Sequence, residues 1–364
     1  MARRDHKHFT RKAQRLGLHF LPTSASGCQA MAVPDQMHVP SPVVTADLTP
    51  REPMKLAHHL PHPVAYVMAG GGAHGSVQWG LLQALAETDI SPDVLIGTSA
   101  GSLTCSILGE DPLSALSRLS YVWSQLDIEV LVGDSWMAML SAARKKSQSL
   151  AENASERAML EDILVARDFS ELRIPTAAVA TDLATGKATA FDSGPLIPAL
   201  LASSAIPGML PPVTINGRRY VDGLASANLP ARLAVERGAK SIVVLDTGSR
   251  EPAPISTSAT KVVARVNNIL NARQRRAQLA YASSHVPILV LPTPQNLGAA
   301  LDFRGTMTAA SSAYELARQF LFDVTAMSGR SKFSPGLYAR PGPYVTDPDL
   351  SQFLVGVEPT AAQS

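Results

Sequence analysis

Cysteine is nearly absent. Cys28 and Cys105 are the only two in 364 residues, too few for a disulfide framework. Cys105 lies in an apolar run and reads as a small buried hydrophobe. No Cys/His spacing of the zinc-binding kind occurs, so no metal site is expected. Charge of one sign is lacking as well. A net charge of +2 argues against a nucleic-acid partner, which calls for a strong basic excess. No apolar run approaches the roughly 18–20 residues of a membrane span. Histidine runs out early: seven of the nine lie before residue 63, His74 follows in a glycine-rich turn, and only His285 comes later.

Apolar residues are plentiful at 46%, against 17% charged and 5% aromatic. A chain rich in Ala, Leu and Val suits helices packed on a buried sheet. Residues 1–60 carry Pro, His and basic groups without a sustained period and read as a flexible arm. Within it Arg3, Arg4, Lys7, Arg11, Lys12 and Arg15 precede Leu16–Leu21 in the order of a signal peptide. That apolar part is short and broken by His19 and Pro22, so export is not favoured. A start at Met31 or Met37 is an alternative reading. The expected location is cytoplasmic, with room for peripheral membrane contact.

Structure is expected to begin at Val64–Ala69, a short apolar strand, followed by the turn Gly70–Gly75 and a helix over Val77–Glu87. Val94–Ile96 is a second buried strand running into Gly97–Gly101 and a helix over Leu103–Leu108. Two strand–turn–helix units in succession predict a mainly parallel sheet flanked by helices, a three-layer α/β fold. Residues 112–166 read as a small helical cap. There Trp136, Met137, Met139 and Leu140 precede Arg144, Lys145 and Lys146, a combination that could rest on an anionic membrane. Asn216-Gly217 between two short strands predicts a type I′ hairpin. Further strands are expected over Ile174–Thr181, Ala188–Phe191, Ser241–Leu245 and Pro287–Leu291. Helices are expected near Pro198–Ser204, Leu229–Arg237, Thr260–Ala282 and Thr306–Phe322. The folded domain spans 61–325, and 326–364 is a partly ordered tail.

Three elements carry chemistry. Gly97-Thr98-Ser99-Ala100-Gly101 fits G-x-S-x-G, in which a serine on a tight strand-to-helix turn stands clear of the backbone. Gly70-Gly71-Gly72 offers consecutive backbone N–H groups, a nest for an anion such as a tetrahedral oxyanion. The same loop, Gly70-x-Gly72-x-x-Gly75, also fits a dinucleotide phosphate turn. Asp222-Gly223 follows a strand, where a carboxylate can approach a serine hydroxyl. Asp182, Asp192 and Asp246 compete for that role, since each also lies near a predicted strand end.

Together the elements resemble the patatin-like phospholipase family, whose signature is a G-G-G-x-R/K-G loop, then G-x-S-x-G, then D-G-G/A. Here these stand as Gly70–Gly75, Gly97–Gly101 and Asp222-Gly223-Leu224. A block of small residues before a proline turn matches Ala202–Pro207. The resemblance covers roughly Val64 to Leu291. It implies a Ser99–Asp222 dyad without histidine, oxyanion donors on Gly71, Gly72 and Ala73, and supporting roles for Gly70, His74, Gly75, Gly97, Gly101 and Gly223. It also implies hydrolysis of a lipid ester, on a phospholipid or lysophospholipid, with no cofactor. His74 stands where the family has Arg or Lys, and Leu224 where it has a small residue; both departures bear on the substrate. The rival readings are a Ser-His-Asp triad through His285, a nucleotide site on the Gly70–Gly75 loop, and an inactive lipid-binding relative.

Overall fold

The structure, a computed structural model, describes residues 53–126, 153–248, 259–295, 297–300, 302–329, 331–345 and 347–360. They belong to one contact unit, Glu52–Ser364. The membrane-facing combination expected at Trp136–Lys146 lies outside the described residues, as does most of the arm.

The strands are β1 (Val64–Met68), β2 (Val94–Thr98), β3 (Thr176–Asp182), β4 (Ala188–Phe191), β5 (Val213–Ile215), β6 (Arg218–Asp222), β7 (Ser241–Leu245), β8 (Pro287–Val290), β9 (Gly336–Ala339) and β10 (Leu354–Gly356). They form one sheet in the order β10-β9-β8-β7-β1-β2-β3-β6-β5, with β4 paired to β3. From β10 to β3 every pairing is parallel, while β4, β5 and β6 pair antiparallel. The hairpin turn is as expected: Asn216 and Gly217 have φ of 50° and 76°, both positive as a type I′ turn requires.

The helices used below are α1 (Ser76–Leu85), α2 (Ala100–Glu110), α3 (Ala115–Gln125), α4 (Ala154–Ile163), α5 (Leu196–Ser204), α6 (Leu224–Ala227), α7 (Ala231–Glu236), α8 (Ala259–Ser283) and α9 (Thr306–Ser328). Alternation along β1 feeds two cores, because successive strand side chains point to opposite faces. Tyr66 and Met68 join Leu81 of α1, Ile107 of α2 and Phe320 of α9 on one face. Ala65 and Val67 join Ala227 of α6, Ala234 of α7 and Leu279 of α8 on the other. This is the expected three-layer α/β fold. Of the expected cap, α3 and α4 are described and residues 127–152 are not. Cys105 is fully buried, as expected, and burial pushes its thiol pKa up.

Two boundaries differ from the expectation. The arm ends before residue 53 rather than at 60. Leu56 and Leu60 are core residues flanking a single 3-10 turn, Ala57–His59, too short to show a period. Met54 bridges to Thr88, and Asp89 accepts the Leu56 and Ala57 N–H groups at 2.6 and 2.7 Å. At the other end, β9 and β10, within the expected tail, are part of the sheet. Strands β9 and β10 extend the parallel edge of the sheet. They are only four and three residues long, and the burial of β9 comes from neighbours distant in sequence.

A chain beginning at residue 53 should therefore unfold like the full-length protein, whereas one beginning at 61 should be markedly less stable. Leu56→Ala alone should cost about 2–5 kcal/mol, as buried Leu→Ala changes do. An unfolding free energy from urea titration lowered by less than about 1 kcal/mol would show that this turn does not belong to the core.

Candidate active site

The parallel pairing of β1 with β2 places the turns after both strands side by side. Ser99 sits between β2 and α2 with φ 54° and ψ −125°, a region that non-glycine residues rarely occupy. Such strain persists only where surrounding contacts over-determine it. A Cβ on Gly97 would lie 2.3 Å from the Gly101 carbonyl oxygen, and one on Gly101 would lie 2.4 Å from that of Met68 in β1. The elbow thus closes only with glycine at both positions. Ser99 N–H donates to Ser203 Oγ at 2.8 Å, and Ser203 Oγ donates in turn to the Val179 carbonyl at 2.7 Å. The Ser99 carbonyl accepts from Ser102 N–H and from the Ser102 hydroxyl.

The sheet register brings Asp222 level with this turn. Thr98 pairs with Val179, and the next residue of β3, Ala180, pairs with Asp222. Asp222 is fully buried. Its Oδ1 accepts Leu224 N–H at 2.8 Å, and among the described residues no donor reaches its Oδ2 in hydrogen-bonding geometry. Burial pushes the carboxyl up to about 7, a rise tempered by the Leu224 N–H and by the neighbouring Ser99 hydroxyl.

The rival aspartates are engaged elsewhere. Asp182 pairs with Arg218 at 3.0 Å and accepts the Ala184 and Thr185 N–H groups. Asp192 pairs with Arg237, and Asp246 with Arg275 of α8. Of the four, Asp222 alone stands beside Ser99 without an arginine.

The glycine loop lies against the serine. A Cβ on Gly70 would come within 3.0 Å of Ser99 Cβ. The Gly70 carbonyl is held by Thr247 Oγ1 at 2.9 Å and Asn228 Nδ2 at 3.3 Å. Gly72 has φ +60°, and a Cβ there would meet the Ala300 carbonyl at 2.3 Å. Ala73 departs from the expected donor set: its N–H donates to the Ala300 carbonyl at 2.7 Å. A group so engaged is not offered to an oxyanion. His74 is buried in the turn Gly72–Gly75, with its N–H directed to the Gly71 carbonyl at 3.3 Å. Gly75 packs against Trp123, and Gly223 against the Val179 carbonyl.

His285 is far from this group. It precedes β8, whose Ile288 is level through β7 and β1 with Val94, the start of β2. Ser99 follows the other end of β2, so the separation along the strands is roughly 20 Å or more at about 3.3 Å per residue. The His285 ring is exposed, stacks on Tyr281 and lies 2.7 Å from the Tyr281 carbonyl.

A pocket opens over Ser99. Its walls are mainly apolar, with Leu103, Trp123, Leu160, Met209 and Phe303 among them. Glu156 of α4 also lines it, a residue that no sequence motif singles out. Only 4% exposed, it contacts Ser204 Oγ through Oε1. Burial, opposed by the Ser204 contact and aided by the charge of Asp222, pushes its carboxyl up to about 7. Ser203, Asn228 and Thr247 were likewise missed as site residues. Ser203 alone carried a signal, since it lies in the small-residue block before Pro207. Among the described residues no cluster of three His, Cys, Asp or Glu is placed to hold a metal ion.

Residues 66–235 match the family model of patatin-like phospholipases. The mouse protein named patatin-like phospholipase domain-containing protein 7 is 28% identical over 191 residues, 52% of this chain but 14% of that protein. An uncharacterized NTE family protein of Mycobacterium bovis is 28% identical over 201 residues, 55% of this chain and 53% of that one. VipD from Legionella pneumophila, a solved structure, overlaps 72% of this chain and 67% of its own at 14% identity and a TM-score of 0.43. The expected resemblance to the patatin-like phospholipase family is thereby borne out. The match spans a small part of the first of these relatives.

Ser203→Ala should leave the Ser99 N–H and the Val179 carbonyl without their buried partner, at a cost of about 1–3 kcal/mol. Thermal unfolding checks this. A variant as stable as the wild type would show that water replaces the hydroxyl.

Proposed function

We propose that the chain is a serine acyl hydrolase acting on lipid esters, a phospholipid or lysophospholipid in the first instance. The observation that carries the proposal is the placement of a strained, turn-borne Ser99 beside a buried Asp222 that no arginine neutralises. The family match supports the same reading.

In this mechanism Ser99 Oγ attacks the ester carbonyl carbon while Asp222 Oδ2 takes the hydroxyl proton. The carbonyl oxygen becomes an oxyanion facing the Gly71 and Gly72 N–H groups; one such donor is typically worth about 10²–10³ in rate. The dipole of α2, whose N-terminus begins after Ser99, favours the same charge. Collapse breaks the ester C–O bond, and Asp222 returns its proton to the leaving alkoxide. Water then attacks the acyl-serine, with Asp222 again taking a proton, and the acid is released as Ser99 regains its hydroxyl. An aspartate at the ordinary 3.8 would be a poor base, and burial raises its affinity for the proton. The apolar pocket supplies room for the acyl chain. A lipid substrate also requires peripheral contact with a lipid surface, which is part of the proposal.

Ser99→Ala should abolish ester hydrolysis and labelling by a fluorophosphonate probe while the fold is kept. Labelling at the normal rate would remove Ser99 from the mechanism. Asp222→Asn should lose nearly all turnover and His285→Ala keep most of it; the reverse result would favour a triad.

The base must be ionised, so kcat/KM should rise with pH through about 7, the raised value of Asp222. A flat profile between pH 5 and 8 would count against Asp222 as the base. Stability should move the other way. The folded state holds the Asp222 proton more tightly than the unfolded chain, a contribution present below about pH 4 and lost as pH rises through about 7. Any gain in melting temperature of Asp222→Asn over wild type should therefore be larger at pH 8 than at pH 5.

A further inference from the structure

Glu156 is a carboxyl set into the apolar wall of the pocket that holds Ser99, and the dyad mechanism does not use it. Burying such a group costs free energy unless its polar atoms are satisfied. Oε1 is satisfied by Ser204. Oε2 is buried and has no hydrogen-bond partner among the described residues. No lysine or arginine is among the pocket-lining residues described.

The Ser204 hydroxyl has one proton and three acceptors near it, Glu156 Oε1, the Leu200 carbonyl at 2.8 Å and, more weakly, the Leu201 carbonyl at 3.4 Å. If that proton goes to Leu200, the Glu156–Ser204 contact needs a proton on Oε1, and Oε2 is left as an acceptor. If Glu156 is ionised, Oε2 is again an acceptor. If the proton sits on Oε2, that oxygen is a donor. A hydroxyl can answer all three arrangements, because it both donates and accepts. An ammonium group answers only the acceptor states and must shed its hydration in apolar surroundings. A phosphate answers only the donor state, with no cation in the described lining to help it.

We propose that Glu156 is a specificity-determining residue which hydrogen-bonds a neutral hydroxyl of the substrate, so that the pocket selects hydroxyl-bearing esters. This rests on reading the pocket as the substrate site of an ester hydrolase. The hydroxyl has two chemical sources, the alcohol part of the ester, as in a monoacylglycerol or lysolipid, and a hydroxylated acyl chain.

Two matched substrate pairs separate the sources. Monodecanoylglycerol against its di-O-methyl ether tests the alcohol side, and p-nitrophenyl ω-hydroxydecanoate against p-nitrophenyl decanoate tests the acyl side. Wild type should prefer the hydroxylated member of one pair by at least about fivefold in kcat/KM, the scale of one net hydrogen bond. Glu156→Leu should bring that ratio to about one through a higher KM for the hydroxylated member. Glu156→Gln, which keeps an acceptor and a donor, should retain part of the preference. Equal kcat/KM within both pairs in wild type, or an undiminished preference in Glu156→Leu, would overturn the proposal. Calorimetric titration of the Ser99→Ala protein with monodecylglycerol ether, its di-O-methyl ether, decanol and ω-decanediol reads the same selection without turnover. Selective binding of a hydroxylated ligand, abolished by adding Glu156→Leu, in a protein whose wild type hydrolyses no ester would sink the hydrolase reading and uphold the hydroxyl contact. Indifference in binding would sink the hydroxyl contact.

Discussion

A carboxyl withdrawn from water with one of its two oxygens unsatisfied is held against its own hydration. That constraint, at Asp222, organises the site. An arginine beside it would repay the burial, as Arg218 and Arg275 do for Asp182 and Asp246, but it would also hold the carboxylate in its ionised form and weaken it as a base. The structure instead gives Asp222 one backbone donor and a serine hydroxyl as neighbour. The stability lost in burying it is of the same origin as the proton affinity that the proposed chemistry requires.

Ser99 is held with comparable firmness. Its positive φ is tolerated because β1, β2 and α2 meet where Gly97 and Gly101 admit no side chain. Ser203 fastens its N–H to β3, the strand whose Ala180 pairs with Asp222. Serine and aspartate are therefore positioned through the same strand. The glycine loop is tied from another direction, by Asn228 after α6 and Thr247 after β7, both on the Gly70 carbonyl. Thus two separate stretches of chain set the direction of the Gly71 N–H group, and neither belongs to the loop.

The pocket unites these parts with α4, from the segment expected to form a cap. An acidic side chain in the first turn of a helix is ordinarily a solvated residue that favours the helix dipole. For Glu156, burial against Ser204 and the pocket gives the position another meaning. The antiparallel β6 has a similar lesson. Asp222 ends a strand that runs against β3, so strand polarity alone would not put it beside Ser99. The pairing register does.

By itself the sequence determined whatever depends on short-range sterics and local period. The strands β1, β2 and β7 are continuous apolar runs, the hairpin is encoded in Asn216-Gly217, and the elbow in Gly97–Gly101. Each follows from crowding between atoms a few residues apart. The order of those motifs was enough to suggest the family. Tertiary structure decided what depends on partners far along the chain. It packed Leu56 and Leu60 into the core and added β9 and β10 to the sheet edge. It engaged the Ala73 N–H with Ala300, more than two hundred residues away. It also supplied arginines to three of four aspartates and left the fourth beside the serine. Which carboxyl stays unpaired is set by the free energy of burial in the finished fold, and no local pattern around Asp222 records it.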